Sequence, residues 1–192
     1  MPKIRDTAHS DADIMRYDIY PSSLGLALIA ASAKGVCAIM LGDDRGAMQK
    51  EFEQRFPNAT IKPQNMSGRE LAVRVLAVIA AEKIEIPPLD IRGTEFQKRV
   101  WRALIEIPAG STISYKELAS RAEAPTAIRA VAGACGSNPL AVVVPCHRVV
   151  RHDGTLSGYR WGIARKQALL ERESSSAYGP KGIRPRFAPG LS

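Results

Sequence analysis

No apolar run in this 192-residue chain approaches the roughly 18 residues that a membrane-spanning helix requires. The polar start from Met1 to Asp13 also lacks a hydrophobic signal region. The chain therefore reads as a soluble, cytoplasmic protein with no membrane contact. Cysteine is scarce as well, with three residues at 37, 135 and 146. Their wide spacing fits neither a disulfide framework nor a zinc pattern, so the thiols are expected to stay reduced and no metal is expected. A zinc deaminase of the Pro-Cys-x-x-Cys type is excluded, because Val149 stands where its second cysteine belongs and no His-x-Glu precedes it. Cys37 has no base or ligand near it in sequence and reads as inert core.

The second half of the chain is short of acid. Residues 92 to 192 carry 16 Lys and Arg against 7 Asp and Glu, whereas residues 1 to 91 carry 11 against 12. The second half thus carries +9 and the first −1 of the net +8, which points to a polyanion, most simply nucleic acid. A hydrophobic content of 45% is enough to bury one core or two small ones. Alternation predicts strands over residues 14–20, 24–31 and 36–41, joined by turns at 21–23 and 34–35. Apolar spacing predicts helices over 44–56 and 69–83, and Pro87-Pro88 marks a boundary before a second unit. The expected organisation is a flexible tail (1–13), an α/β domain (14–88), a mainly helical domain (89–173) and a disordered Pro/Gly-rich tail (174–192).

Within the second unit, Thr94-Glu95-Phe96-Gln97 is a capping box that opens a helix running to Pro108. Ser114-Tyr115-Lys116-Glu117 opens a shorter helix through Ala122, and Pro125 can start a third that runs to about Cys135. Two short helices across a tight turn make a helix-turn-helix candidate. Projected at 100° per residue, the last helix puts Ile128, Val131, Ala132 and Cys135 on one side. Ala127, Arg129, Ala130, Gly133 and Ala134 fall on the other. An outer face of Ala and Gly with a single Arg suggests that something large packs closely there. DNA fits best, with the small residues approaching the minor groove and Arg129 reaching between bases.

The chemistry centres on Ala141-Val142-Val143-Val144-Pro145-Cys146-His147-Arg148-Val149-Val150. The β-branched run reads as a buried strand, and Pro145 ends its pairing so that Cys146 begins a turn. An adjacent imidazole and the cationic Arg148 would favour the thiolate.

These residues resemble the O6-alkylguanine-DNA alkyltransferases, and most closely the C-terminal alkyltransferase part of the bacterial Ada proteins. The resemblance covers about residues 24 to 173. It rests on Pro145-Cys146-His147-Arg148-Val149-Val150, Gly136-Ser137-Asn138-Pro139, Arg129-Ala130-Val131 and the run from Gly154 to Gly162. It implies an α+β protein, with a small ribonuclease H-like domain followed by a winged helix-turn-helix-like DNA-binding domain. It also implies suicide repair. Cys146 would take the alkyl group from guanine O6, and by extension from O4-methylthymine, in one turnover, without a cofactor, as a monomer with no obligate protein partner.

The resemblance assigns roles by position. A water would relay the Cys146 proton to His147, whose other nitrogen Glu173 would hold. The helical projection agrees, since Glu173 falls between Leu169 and Leu170 on the apolar side, with Lys166 on the same face as a possible surface partner. Tyr115 would donate to the flipped base and Asn138 would fix the turn. Cys146 and Val149 would offer backbone carbonyls, while Tyr159, Arg160 and Trp161 would line the pocket and disfavour bulky alkyl groups. The competing readings are a non-catalytic damage sensor, which would lack the nucleophile, and a Cys-His hydrolase, which would turn over repeatedly. A helix-turn-helix regulator would need base-reading side chains that Ala130, Gly133 and Ala134 cannot supply.

Overall fold

A computed structural model describes residues 14–63, 69–82 and 85–174. The expectations of a flexible start over 1–13 and a disordered end over 175–192 lie outside the described residues. Ser174, placed in that tail by sequence, is instead the last residue of a helix.

Strands β1 (Ile14–Ser22), β2 (Gly25–Ser32) and β3 (Gly35–Gly42) form an antiparallel meander. Helix α1 (Arg45–Arg55) follows, capped by Asp44, whose carboxylate accepts from the Ala47 amide at 2.7 Å. Strand β4 (Thr60–Pro63), which the sequence reading missed, pairs parallel to β1 and makes the order β3-β2-β1-β4. Helix α2 (Arg69–Ile79) stops short of the expected Lys83, because Ala81 turns into the left-handed region at φ 67°.

Alternate residues divide the sheet between two apolar layers. Leu28, Ala30 and Met40 meet Met48 and Phe52 of α1. Ala27, Ile29, Val36, Ile39 and Leu41 join the larger core, which includes Val75 and Ile79 of α2 and continues into the second half of the chain. Because β3 is covered on both faces, seven of its eight residues are buried, and it reads as an unbroken apolar run.

The second half is mainly helical: α3 (Glu95–Ile105), α4 (Tyr115–Arg121), α5 (Ile128–Gly136) and α6 (Ile163–Ser174). The Thr94–Gln97 capping box forms in full at the start of α3, and Ser114 caps α4. Helix α5 begins three residues later than expected, since Pro125 and Thr126 form a turn instead. A two-stranded parallel pair, β5 (Ile113–Ser114) with β6 (Val149–Val150), ties the start of α4 to the segment after Cys146. No helix among the described residues is long and apolar enough to cross a membrane.

The halves are joined along the outer edge of β3. Val36 donates to Pro88 O at 2.9 Å and accepts from the Asp90 amide at 2.8 Å; Ile39 donates to Pro139 O and accepts from the Ala141 amide. The Pro87-Pro88 stretch is therefore pinned to the sheet. Helix α6 adds a second clasp, with Arg165 donating to Leu24 O at 2.7 Å and pairing with Asp43, and Arg172 donating to Ser23.

Gly35, at φ +142°, lies against Pro88, and a Cβ there would come 2.3 Å from the Pro88 carbonyl oxygen. Gly35→Ala should lower unfolding free energy by about 2–4 kcal/mol, from backbone strain and disruption of this joint. Chemical denaturation of both proteins measures it.

Candidate active site

The run from Ala141 to Val144 is not the strand that its β-branched residues suggest. Only Leu140 bridges to β3, opposite Ile39, and the chain then coils through a turn in which Val142 adopts φ 68°. The side chain of Asn138 supplies the partners a neighbouring strand would have given. Its Oδ1 accepts from the Leu140 amide at 2.9 Å, and its Nδ2 donates to Val144 O at 2.8 Å and Leu140 O at 3.4 Å. Val143 and Val144 are apolar because they are buried rather than because they are paired, and Val142 is half-buried.

Cys146 opens a 3-10 turn with His147 and Arg148, as the position after proline implied. Its sulfur lies 3.3 Å from Asn138 Nδ2, and the residue is 6% exposed. The expected push toward thiolate by His147 and Arg148 is not what this environment does. Burial drives the thiol up to about 11, and only partial relief comes from the Asn138 hydrogen bond and the positive charge of Lys166. Cys146 is held as a neutral thiol.

His147 is fully buried, and its Nε2 lies 2.9 Å from Glu173 Oε1. Burial lowers the imidazole pKa despite Glu173, so the ring is neutral. Nε2 carries the hydrogen, assigned because it faces a carboxylate. Nδ1 is thereby an acceptor, and it is buried without a protein partner among the described residues. Glu173 holds four donors: His147, two nitrogens of Arg148 at 2.8 and 2.9 Å, and the Gly110 amide at 3.3 Å. Burial would raise its carboxyl pKa, but the bonds from His147 and Arg148 outweigh that and hold it at about 2. Arg148 thus serves the carboxylate rather than the thiol, a role the sequence reading missed.

Lys166 is not the partly exposed partner of Glu173 that its helix face allowed. It is completely buried and donates to Val149 O at 2.6 Å and Ser157 Oγ at 3.1 Å. Ser157 Oγ in turn lies 2.8 Å from the hydroxyl of half-buried Tyr115. Tyr159 stacks edge-on to His147 and Trp161, with ring centroids 6.5 and 5.2 Å apart. Trp161 is buried behind it. Arg160 points across the surface to Glu51 of α1 and donates to Gly136 O at 3.0 Å. Val149 and Cys146 already use their carbonyls once, for Lys166 and for the Val149 amide respectively.

On α5 the expected outer face is turned. Arg129, Ala130 and Gly133 are exposed and Ala127 is half-buried, but Ala134 is buried, and Ile128 and Ala132 are exposed in its place. The cause is Trp101 of α3, whose indole packs here and donates to Ala134 O at 2.8 Å. A Cβ on Gly133 would meet nothing within 4 Å, so nothing inside the described protein requires glycine there.

Residues 95–175 match the family model described as 6-O-methylguanine DNA methyltransferase, DNA binding domain. The chain is 48% identical over 163 residues to the bifunctional transcriptional activator and DNA repair enzyme Ada of Escherichia coli, covering 84% of this chain and 46% of that protein. It therefore spans about half the length of that relative. Against the methylated-DNA–protein-cysteine methyltransferase of Mycobacterium bovis, identity is 58% over 132 residues, covering 68% of this chain and 78% of the relative. The crystal structure of the Mycobacterium tuberculosis protein OGT in complex with DNA superposes with a TM-score of 0.64 at 37% identity, covering 90% of this chain and 95% of the other.

Because the Glu173 carboxyl is held near 2 rather than its ordinary 4.5, its ionised form contributes stability that is complete above about pH 4.5. That contribution is lost as pH falls toward 2. The stability gap between the natural chain and Glu173→Gln should therefore narrow by on the order of 3 kcal/mol over that window. Urea unfolding of the two proteins at stepped pH checks it.

Proposed function

This chain belongs to the O6-methylguanine-DNA methyltransferase family, and from that premise we propose that it repairs alkylated DNA by moving the alkyl group onto Cys146. The observation that carries the reading is a nucleophile and a base that are adjacent yet unpaired. Cys146 contacts the Asn138 amide rather than the imidazole, while His147 keeps a buried free Nδ1 and a carboxylate on its far side. A Cys-His hydrolase would instead join sulfur and imidazole directly.

The substrate is O6-methylguanine, and by the same chemistry O4-methylthymine, in double-stranded DNA approached through the minor groove. The family relative solved with DNA supports this partner, as does the basic second half of the chain. Helix α5 lies in the groove, with Gly133 and Ala130 allowing close approach and Arg129 filling the gap left by the flipped base. Ala132 and Ile128 replace Ala134 on that contact face.

Transfer proceeds by displacement at the alkyl carbon. The Cys146 proton passes to His147 Nδ1 through a water, and the imidazolium so formed is stabilised by Glu173, which Arg148 holds in place. Sulfur bonds to carbon as the bond to O6 breaks, and Tyr115 protonates the leaving base. Asn138 holds the thiol in place, and Tyr159 with Val149 borders the base, with Arg160 at the rim and Trp161 supporting Tyr159 from behind. A thioether offers no carbonyl for water to attack, so each chain reacts once and needs no cofactor. The protein acts as a cytoplasmic monomer built of an α/β domain over 14–88 and a DNA-binding domain over 89–173.

Incubation with a methylguanine duplex, followed by intact-mass spectrometry, should show a gain of one methyl group that is absent in Cys146→Ala. Repeated turnover, or methylation of the alanine variant, would sink the proposal. Gly133→Leu should leave thermal stability equal or slightly raised, since a helix-interior glycine costs about 1 kcal/mol. Its DNA affinity should fall by about tenfold or more, roughly 1.4 kcal/mol, as read by fluorescence anisotropy.

A further inference from the structure

Lys166 is a lysine with no exposed surface and no acidic side chain paired to it among the described residues. Lysine is almost never fully buried without a partner, so its position demands a reason. Burial lowers its pKa, and among the described residues thiolates at Cys146 and Cys135 would raise it. Its two hydrogen bonds go to Val149 O and Ser157 Oγ, and Ser157 Oγ touches the Tyr115 hydroxyl. One bond therefore anchors β6 beside the thiol. The other begins a chain that ends on the phenol.

Direction along that chain follows from donor inventory. An ammonium only donates, so Ser157 accepts from Lys166 and keeps its own hydrogen and a second lone pair for Tyr115. When Ser157 donates to the phenolic oxygen, the hydrogen of Tyr115 is free to point away from Ser157. We propose that Lys166 and Ser157 are positioning residues for Tyr115, fixing its phenol as a donor toward the damaged base and stabilising the oxygen as its proton departs.

This rests on the alkyl transfer proposed above, and the step balances. The sulfur–carbon bond forms, the carbon–O6 bond breaks, and the electron pair stays on the base, which takes the Tyr115 proton. The thiol proton resides on His147 and later returns through solvent to the phenolate. In the interval Tyr115 carries negative charge, and a hydrogen bond from Ser157, itself backed by a cation, is the interaction that strengthens most at that moment.

The test is a double-mutant cycle on the single-turnover rate of methyl transfer at saturating protein, with duplex affinity measured alongside. Ser157→Ala should slow transfer by about five- to tenfold, the loss of one hydrogen bond to a developing charge, with affinity unchanged. Ser157→Thr, which keeps the hydroxyl, should restore the rate. In a Tyr115→Phe background, Ser157→Ala should have no further effect, because the group it serves is gone. Lys166→Met should show the same dependence on Tyr115. If that variant does not fold, the Ser157 cycle decides alone. Equal slowing by Ser157→Ala in both backgrounds, or no slowing in either, overturns the inference while leaving the transfer reaction intact. A natural chain that takes up no methyl group overturns the proposed function and this inference with it.

Discussion

One side-chain amide determines how the thiol is presented. Asn138 is wholly buried, and its two polar atoms reach the backbone of Leu140 and Val144 and the sulfur of Cys146. Without it, the buried Leu140 amide would lack a partner, at a cost of about 1–3 kcal/mol, and the Leu140 and Val144 carbonyls would each keep only one donor, from the Val144 and Cys146 amides. The left-handed Val142, at φ 68°, adds strain of the kind that persists only where surroundings enforce it. The amide thus stabilises a conformation that valines disfavour, and its NH2 group also reaches the Cys146 sulfur.

The environment around that turn favours the neutral forms of both the thiol and the imidazole. Burial raises the thiol to about 11 and lowers the imidazole pKa, so the low-charge pair is favoured. Two cations are nearby, but each is committed. Arg148 is bidentate on Glu173, and Lys166 is shared between a carbonyl and a serine. A neutral thiol next to a neutral base costs less to bury than a thiolate–imidazolium pair lacking ideal geometry. Under the proposed single transfer, a neutral thiol would also be quiet toward adventitious electrophiles.

Much of this could be read from the sequence, and the failures have physical causes. The three first strands, the caps at Thr94 and Ser114, and the burial of Glu173 between Leu169 and Leu170 were legible because each depends on local pattern. The coil at Ala141–Val144 was not. Its apolarity reports burial, and burial looks the same in a strand and in a turn held by a distant amide. The rotation of α5 was equally hidden, because it depends on Trp101 reaching a carbonyl thirty-three residues away. Ser157 lies within the Gly154–Gly162 run that carries the resemblance, but nothing in that run shows Lys166 and Tyr115 on either side of it.

The first half of the chain contributes none of the groups at the thiol, yet the site cannot be built without it. Strand β3 offers an edge, and that edge is used twice: by Leu89 at the entrance to the second half, and by Leu140, two residues after Asn138. Ile39 exchanges hydrogen bonds with Pro139 and Ala141, so the residues flanking the Asn138 turn are registered against the sheet. Helix α6, which carries both Lys166 and Glu173, is clasped to the same sheet through Arg165 and Arg172. The thiol comes from one fixed segment, and its acid partner and buried cation from the other. Their spacing is set by a sheet that both segments touch, and covering β3 at its edge also removes an exposed template for aggregation. The sheet is therefore best understood as the frame against which the Cys146 segment and helix α6 are both positioned.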